Sequence, residues 1–172
     1  MNIAPLTPIF VPSYFLKMNL RNKNSWAQVT GFLKTSEANV WRLLTEPQLT
    51  ERYIYNCQLH ADWHIGGQAV WTALDENGKW IDHVRAQVLV YSPYQHLAFN
   101  VVHQATAKRP EVTSELHYIL KPKVEGVHLT IKQGDFVKLN LDEELFESCQ
   151  QGWKYVMPLL IETSQHFFEQ PG

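Results

Sequence analysis

"TSEANVWRLLTEPQLTERY", residues 35–53, decides how the rest of this chain folds. Thr35 or Ser36 is placed to cap a helix, and Val40, Trp41 and Leu44 then share one face at helical spacing. Pro47 starts a second short helix, because proline is tolerated in a first turn, and Leu49 and Tyr53 lie four apart along it. Just upstream, "SWAQVTGFL" (25–33) alternates and is rich in strand formers, so it reads as a first strand. Two short helices directly after a single strand are an unusual opening.

Downstream the period changes to two. Gly66-Gly67 precedes "QAVWTAL", and "DENG" (75–78) is a strong turn before "KWIDHVRAQVLVY". "SPY" (92–94) leads into "QHLAFNVVH", a looser "QATAKRP" into "EVTSELHYILK", and "PKVEG" (122–126) into "VHLTIKQ". This succession of hairpins predicts a curved, mostly antiparallel sheet of about six further strands.

The chain ends as a helix. Asp142 is a plausible N-cap, with Glu143 and Glu144 in the first turn. Leu145, Cys149, Trp153, Val156, Leu160 and Phe167 form a helical stripe, joined by Phe146, Met157, Ile161 and Phe168. The spacing predicts one amphipathic helix of roughly 25 residues, about 37 Å long. Pro158 is expected to kink it by removing a backbone donor.

Bulk properties bound the function. At 172 residues the chain is long enough for one domain with a real core. It is 45% hydrophobic and 19% charged, which is ordinary for a globular protein. A formal charge of -2 gives no basic field for nucleic acid or acidic lipid. Cys57 and Cys149 form no CxxC or zinc pattern and read as reduced core thiols, which points to the cytoplasm. No stretch reaches the ~20 apolar residues of a membrane span, so stable membrane insertion is not expected.

Residues 1–24 read as an N-terminal extension, and 25–169 as the folded domain. Pro5, Pro8 and Pro12 break any signal-peptide core, leaving either a loose leader or an ordered arm that covers a groove or partner with Ile9, Phe10, Tyr14 and Phe15. Met18 is an alternative start. A homodimer is left open.

Several segments together resemble one family. They are "ANVWRLLTEPQLTERY" (38–53), "IGGQAVW" (65–71), "VLVYSPYQHLAF" (88–99), "VTSELHYIL" (112–120) and "GWKYVMPLL" (152–160). In this order they resemble the SRPBCC (START-like) superfamily, in the branch named after activator of Hsp90 ATPase homologues. Glu46, Ile65 and Tyr94 depart from the usual Asp and Pro residues of that pattern. The resemblance implies an α+β helix-grip fold, in which a curved antiparallel sheet wraps a long C-terminal helix. It further implies a cavity for a hydrophobic small molecule or lipid, with no metal and no cofactor. Some relatives catalyse cyclisation or dehydration of such ligands.

Strand alternation selects the inner face. Leu97, Phe99, Val101 and His103 share one side; so do Val112, Ser114, Leu116, Tyr118 and Leu120, and Val127, Leu129, Ile131 and Gln133. Ala69 and Trp71 add to this face. The polar interruptions His103, Ser114, Tyr118 and Gln133 need partners, because a buried orphan polar group costs about 1–3 kcal/mol. Either they bond backbone at strand ends or they meet a ligand. The expected ligand-binding set is therefore Tyr53, Tyr55, Trp71, Phe99, His103, Ser114, Tyr118, Gln133 and Trp153, with Tyr53 and Tyr55 at the mouth.

Catalytic candidates are sparse, for the chain has no GxSxG elbow, GxGxxG or P-loop. His103, Tyr118 and Arg85 are the groups able to assist a cyclase-type proton transfer. His60, Asp62 and His64 alternate in "HADWHIGG", and their ligand types suit zinc. The other histidines fall at no zinc-type spacing with them, so they read as solvated rim residues. Three functions are expected in descending order: a binding module, a cyclase- or dehydratase-type enzyme, and an Hsp90 co-chaperone. The last is disfavoured because one domain without an additional Hsp90-binding domain is expected.

Overall fold

The computed structural model describes residues 25–138 and 143–169. The expectations for the N-terminal extension and for an Asp142 cap lie outside the described residues. The elements run β1 (Trp26–Leu33), α1 (Glu37–Thr45), α2 (Pro47–Thr50), β2 (Gln58–Ala61), β3 (Gln68–Leu74), β4 (Trp80–Ser92), β5 (His96–His103), β6 (Val112–Lys123), β7 (Gly126–Gly134) and α3 (Glu143–Phe168). All strands join one antiparallel sheet in the order β1-β7-β6-β5-β4-β3-β2. This is the helix-grip fold.

The order explains why residues 35–53 matter so much. β1 and β2 occupy opposite edges of the sheet, and the only chain between them is α1, α2 and their turns. Ser36 caps α1 by accepting from the Asn39 N–H at 3.2 Å, and Val40, Trp41, Leu43 and Leu44 bury its inner face. Pro47 opens α2, and Leu49 and Thr50 are buried on it. The Thr50 hydroxyl then accepts from the Leu59 N–H at 2.9 Å, which fixes where β2 begins.

Local chemistry sets the hairpins. Asp75 accepts from the Asn77 and Lys79 N–H groups at 2.9 and 2.8 Å, and Gly78 takes a φ of +75° beside it. Two irregularities in register, at Trp71/Thr72 and at Val88/Val90, bulge the sheet and increase its curvature.

The helix α3 runs unbroken through Pro158, which is exposed, and packs chiefly on β1. Its buried side is Phe146, Val156, Met157, Leu160, Thr163 and Ser164, whereas Phe167 is 43% exposed and not part of the core stripe. Contact with β1 is close because Gly31 has no side chain. A Cβ there would sit 2.5 Å from Met157 Sδ and 3.1 Å from Ile161 Cδ1. Gly31→Val should therefore push the helix off the sheet and cost about 1–3 kcal/mol in urea unfolding. Unchanged stability would mean that the approach is not tight.

Candidate functional site

Because α3 lies toward the β1 edge, it leaves space over the middle of the sheet. A cavity of about 520 Å³ fills that space, lined from β3 to β7, from α3 and from residues 54–57. Trp71, Val101, Leu116, Val156 and Trp153 supply much of its apolar wall. Among the described residues that line it there is no Lys, Arg, Asp or Glu. An apolar wall with few polar groups is the usual composition of a small-molecule site.

The polar groups converge. Trp153 Nε1 donates to Gln133 Oε1 at 2.9 Å, and Gln133 Nε2 donates to Ser114 Oγ at 2.9 Å. Ser114 Oγ lies 2.7 Å from His103 Nε2, and Gln133 Nε2 lies 3.4 Å from that same nitrogen. Three strands and the helix thus contribute one residue each to a single cluster. The registers bring them together, since Ser114 pairs with Val101 and Leu116 with Gln133. Ser114 is 1% and Gln133 5% exposed, so the bonds between them satisfy groups that water does not reach freely.

The remaining expected site residues divide. Trp71 and Tyr55 line the cavity together with His103, Gln133 and Trp153. Phe99 and Tyr118 stand behind the wall: Tyr118 packs edge-on against Trp153 and Phe99 at 5.9 and 6.3 Å between centroids. Burial raises the Tyr118 phenol far above the ordinary tyrosine range. Tyr53 is a correction. It is 1% exposed and its hydroxyl donates to the Leu43 carbonyl at 2.6 Å, tying the turn after α2 to α1 rather than guarding a mouth. Arg85 is a second correction: alternation turns it away from Val84 and Ala86, and it pairs with Asp82 at 3.1 Å in solvent.

His83 was not foreseeable. Simple alternation places it outside, but Trp71 pairs with Val84 and Thr72 with Asp82, leaving His83 as the extra residue of the bulge. Both His83 and Val84 consequently line the cavity. His60, Asp62 and His64 are exposed at the β2 end of the sheet and do not line the cavity. Among the described residues no three His, Cys, Asp or Glu side chains are grouped to hold a metal. A separate cluster, His96–His117–Glu115 with 2.9 Å between successive partners, lies on the opposite face of the sheet.

Residues 34–164 match the family of Activator of Hsp90 ATPase homolog 1-like proteins. The chain belongs to this family, a branch of the SRPBCC (START-like) superfamily. Solved structures with the same fold include protein MLL2253 from Mesorhizobium loti, at 20% identity and TM-score 0.63 over 83% of this chain and 98% of that one. Protein NE0264 from Nitrosomonas europaea is 19% identical, with TM-score 0.62 over 87% and 99%. CalU16 from Micromonospora echinospora is 16% identical, with TM-score 0.61 over 84% and 75%. At these identities the likeness is one of fold. No curated protein matches the sequence. No helix among the described residues is long and apolar enough to cross a membrane.

Two features of this family member sit at the cavity's edge. Tyr55 and Tyr155, 59% and 58% exposed, stack at 5.5 Å with an interplanar angle of 19° and join the segment after α2 to α3. Tyr55 and Asn56 both have positive φ, at 47° and 57°, so this segment holds backbone strain of order 1–3 kcal/mol per residue. Cys57 and Cys149 also line the cavity, and both are free thiols. Burial pushes the Cys149 thiol up to about 11 against the opposing charge of Arg109. In a Cys57→Ser background, alkylation of Cys149 by iodoacetamide should keep accelerating past pH 10. A plateau near pH 9 would show an unburied thiol.

Proposed function

We propose that the protein binds a hydrophobic small molecule or lipid in the cavity between the curved sheet and α3. The observation that carries this reading is the apolar space of about 520 Å³ with one converged polar cluster in its wall. A solid core has no use for such a space, because interiors otherwise pack densely. A ligand that is neutral where it is buried suits this wall, because its described lining carries no Lys, Arg, Asp or Glu and an unpaired buried ion costs several kcal/mol. Trp71 and Trp153 supply flat aromatic walls, and the Tyr55–Tyr155 stack gates entry.

A second, catalytic reading draws on His83 and His103. They are two imidazoles on a described wall without Lys, Arg, Asp or Glu, and imidazole is the side chain most often used as a general acid or base. In that reading the cavity acts on its ligand in the manner of a cyclase or dehydratase. Binding alone accounts for the site without a reaction.

Native mass spectrometry of protein purified from its own host tests the binding reading. A discrete extra mass that disappears on denaturation is expected, and Trp71→Ala should reduce its occupancy severalfold. A clean protein mass in the wild type, with no uptake of added neutral hydrophobic probes, would overturn it.

A further inference from the structure

Counting hydrogens in the buried cluster leaves one that is poorly used. An indole nitrogen only donates, so the 2.9 Å contact from Trp153 identifies the Gln133 atom it meets as the carbonyl oxygen. The amide nitrogen must then face the strands. One of its two hydrogens goes to Ser114 Oγ at 2.9 Å. For the second, the cluster offers only His103 Nε2, 3.4 Å away.

That nitrogen is already engaged. Ser114 Oγ lies 2.7 Å from it, and an unprotonated imidazole nitrogen has a single in-plane lone pair. When His103 Nε2 accepts, the shorter Ser114 O–H takes the lone pair. When His103 Nε2 carries the proton, it donates to Ser114 and has nothing to offer Gln133. In either tautomer the second Gln133 N–H lacks a well-made acceptor within the cluster, although the side chain is 5% exposed and forms part of the cavity wall.

We infer that the occupant of the cavity carries a neutral acceptor oxygen, as a carbonyl, ether or hydroxyl, that takes this second N–H of Gln133. The inference rests on the cavity-binding reading and adds the chemistry of the ligand's polar end. A carboxylate or phosphate is less suited to the position than a neutral oxygen, because the described wall brings no lysine or arginine there. A pure hydrocarbon does not suit it either, since it would displace water from the N–H and return nothing. Trp153 and Ser114 act as positioning residues: between them they fix which end of the amide the ligand meets.

The test uses two neutral probes with one ring skeleton, 9-fluorenone with its carbonyl and fluorene without it. Their affinities for the full chain are measured by titration followed in ¹H–¹⁵N spectra. The Gln133 side-chain amide signals are identified by their absence in Gln133→Leu. Fluorenone should bind about three- to tenfold more tightly than fluorene and shift those signals, as one added hydrogen bond allows. The preference should vanish in Gln133→Leu; if that variant does not fold, the wild-type ratio and signals decide alone. Equal binding of both probes, with the Gln133 signals unmoved, overturns the acceptor oxygen and leaves the cavity reading standing. Binding of neither probe up to its solubility removes the cavity reading and the inference with it.

Discussion

An indole has one hydrogen to give and no way to accept in return, and the position of α3 turns on where the half-buried Trp153 gives it. The Gln133 carbonyl on β7 receives it at 2.9 Å, across a space that apolar packing alone would tend to close. At the β1 edge, Gly31 lets Met157 and Ile161 come down onto the sheet. Contact with β1 and a polar tie to β7, the next strand, together hold the helix to that side of the sheet. The cavity lies on the far side of the Gln133 tie, over the strands from β7 to β3.

The same tie organises the polar chemistry of the site. Once the indole occupies the Gln133 carbonyl, the amide nitrogen has to serve Ser114 and His103, and the cluster acquires a direction. Its members come from β5, β6, β7 and α3, so any slip in register would leave buried polar atoms without partners. The proposed recognition and the specification of the fold thus rest on the same few bonds. The surrounding wall contributes volume and exclusion of water, as apolar pocket walls do.

Much of this was legible in the sequence, and the physical reasons for what was not are specific. Ser36, Pro47 and the DENG turn act within a few residues of themselves, so their consequences could be read locally. Alternation put His103, Ser114 and Gln133 on the buried face, but their bonding to one another depends on three strand registers that no local pattern contains. The fate of Tyr53 turned on a carbonyl ten residues away, and His83 entered the wall through a bulge that breaks alternation. Arg85 was different. Its parity with Val84 and Ala86 points outward in the sequence itself, and the structure places it there, paired with Asp82.

The central claim is that the Trp153–Gln133 bond couples helix to sheet. A double-mutant cycle with Trp153→Phe, Gln133→Leu and the double variant, read by urea unfolding, measures that coupling directly. The account predicts a coupling energy of about 1 kcal/mol or more, because each single change strands the other's polar group in the interior. Additive single effects, within about 0.3 kcal/mol, would mean that the two residues do not act as a pair and would contradict the account.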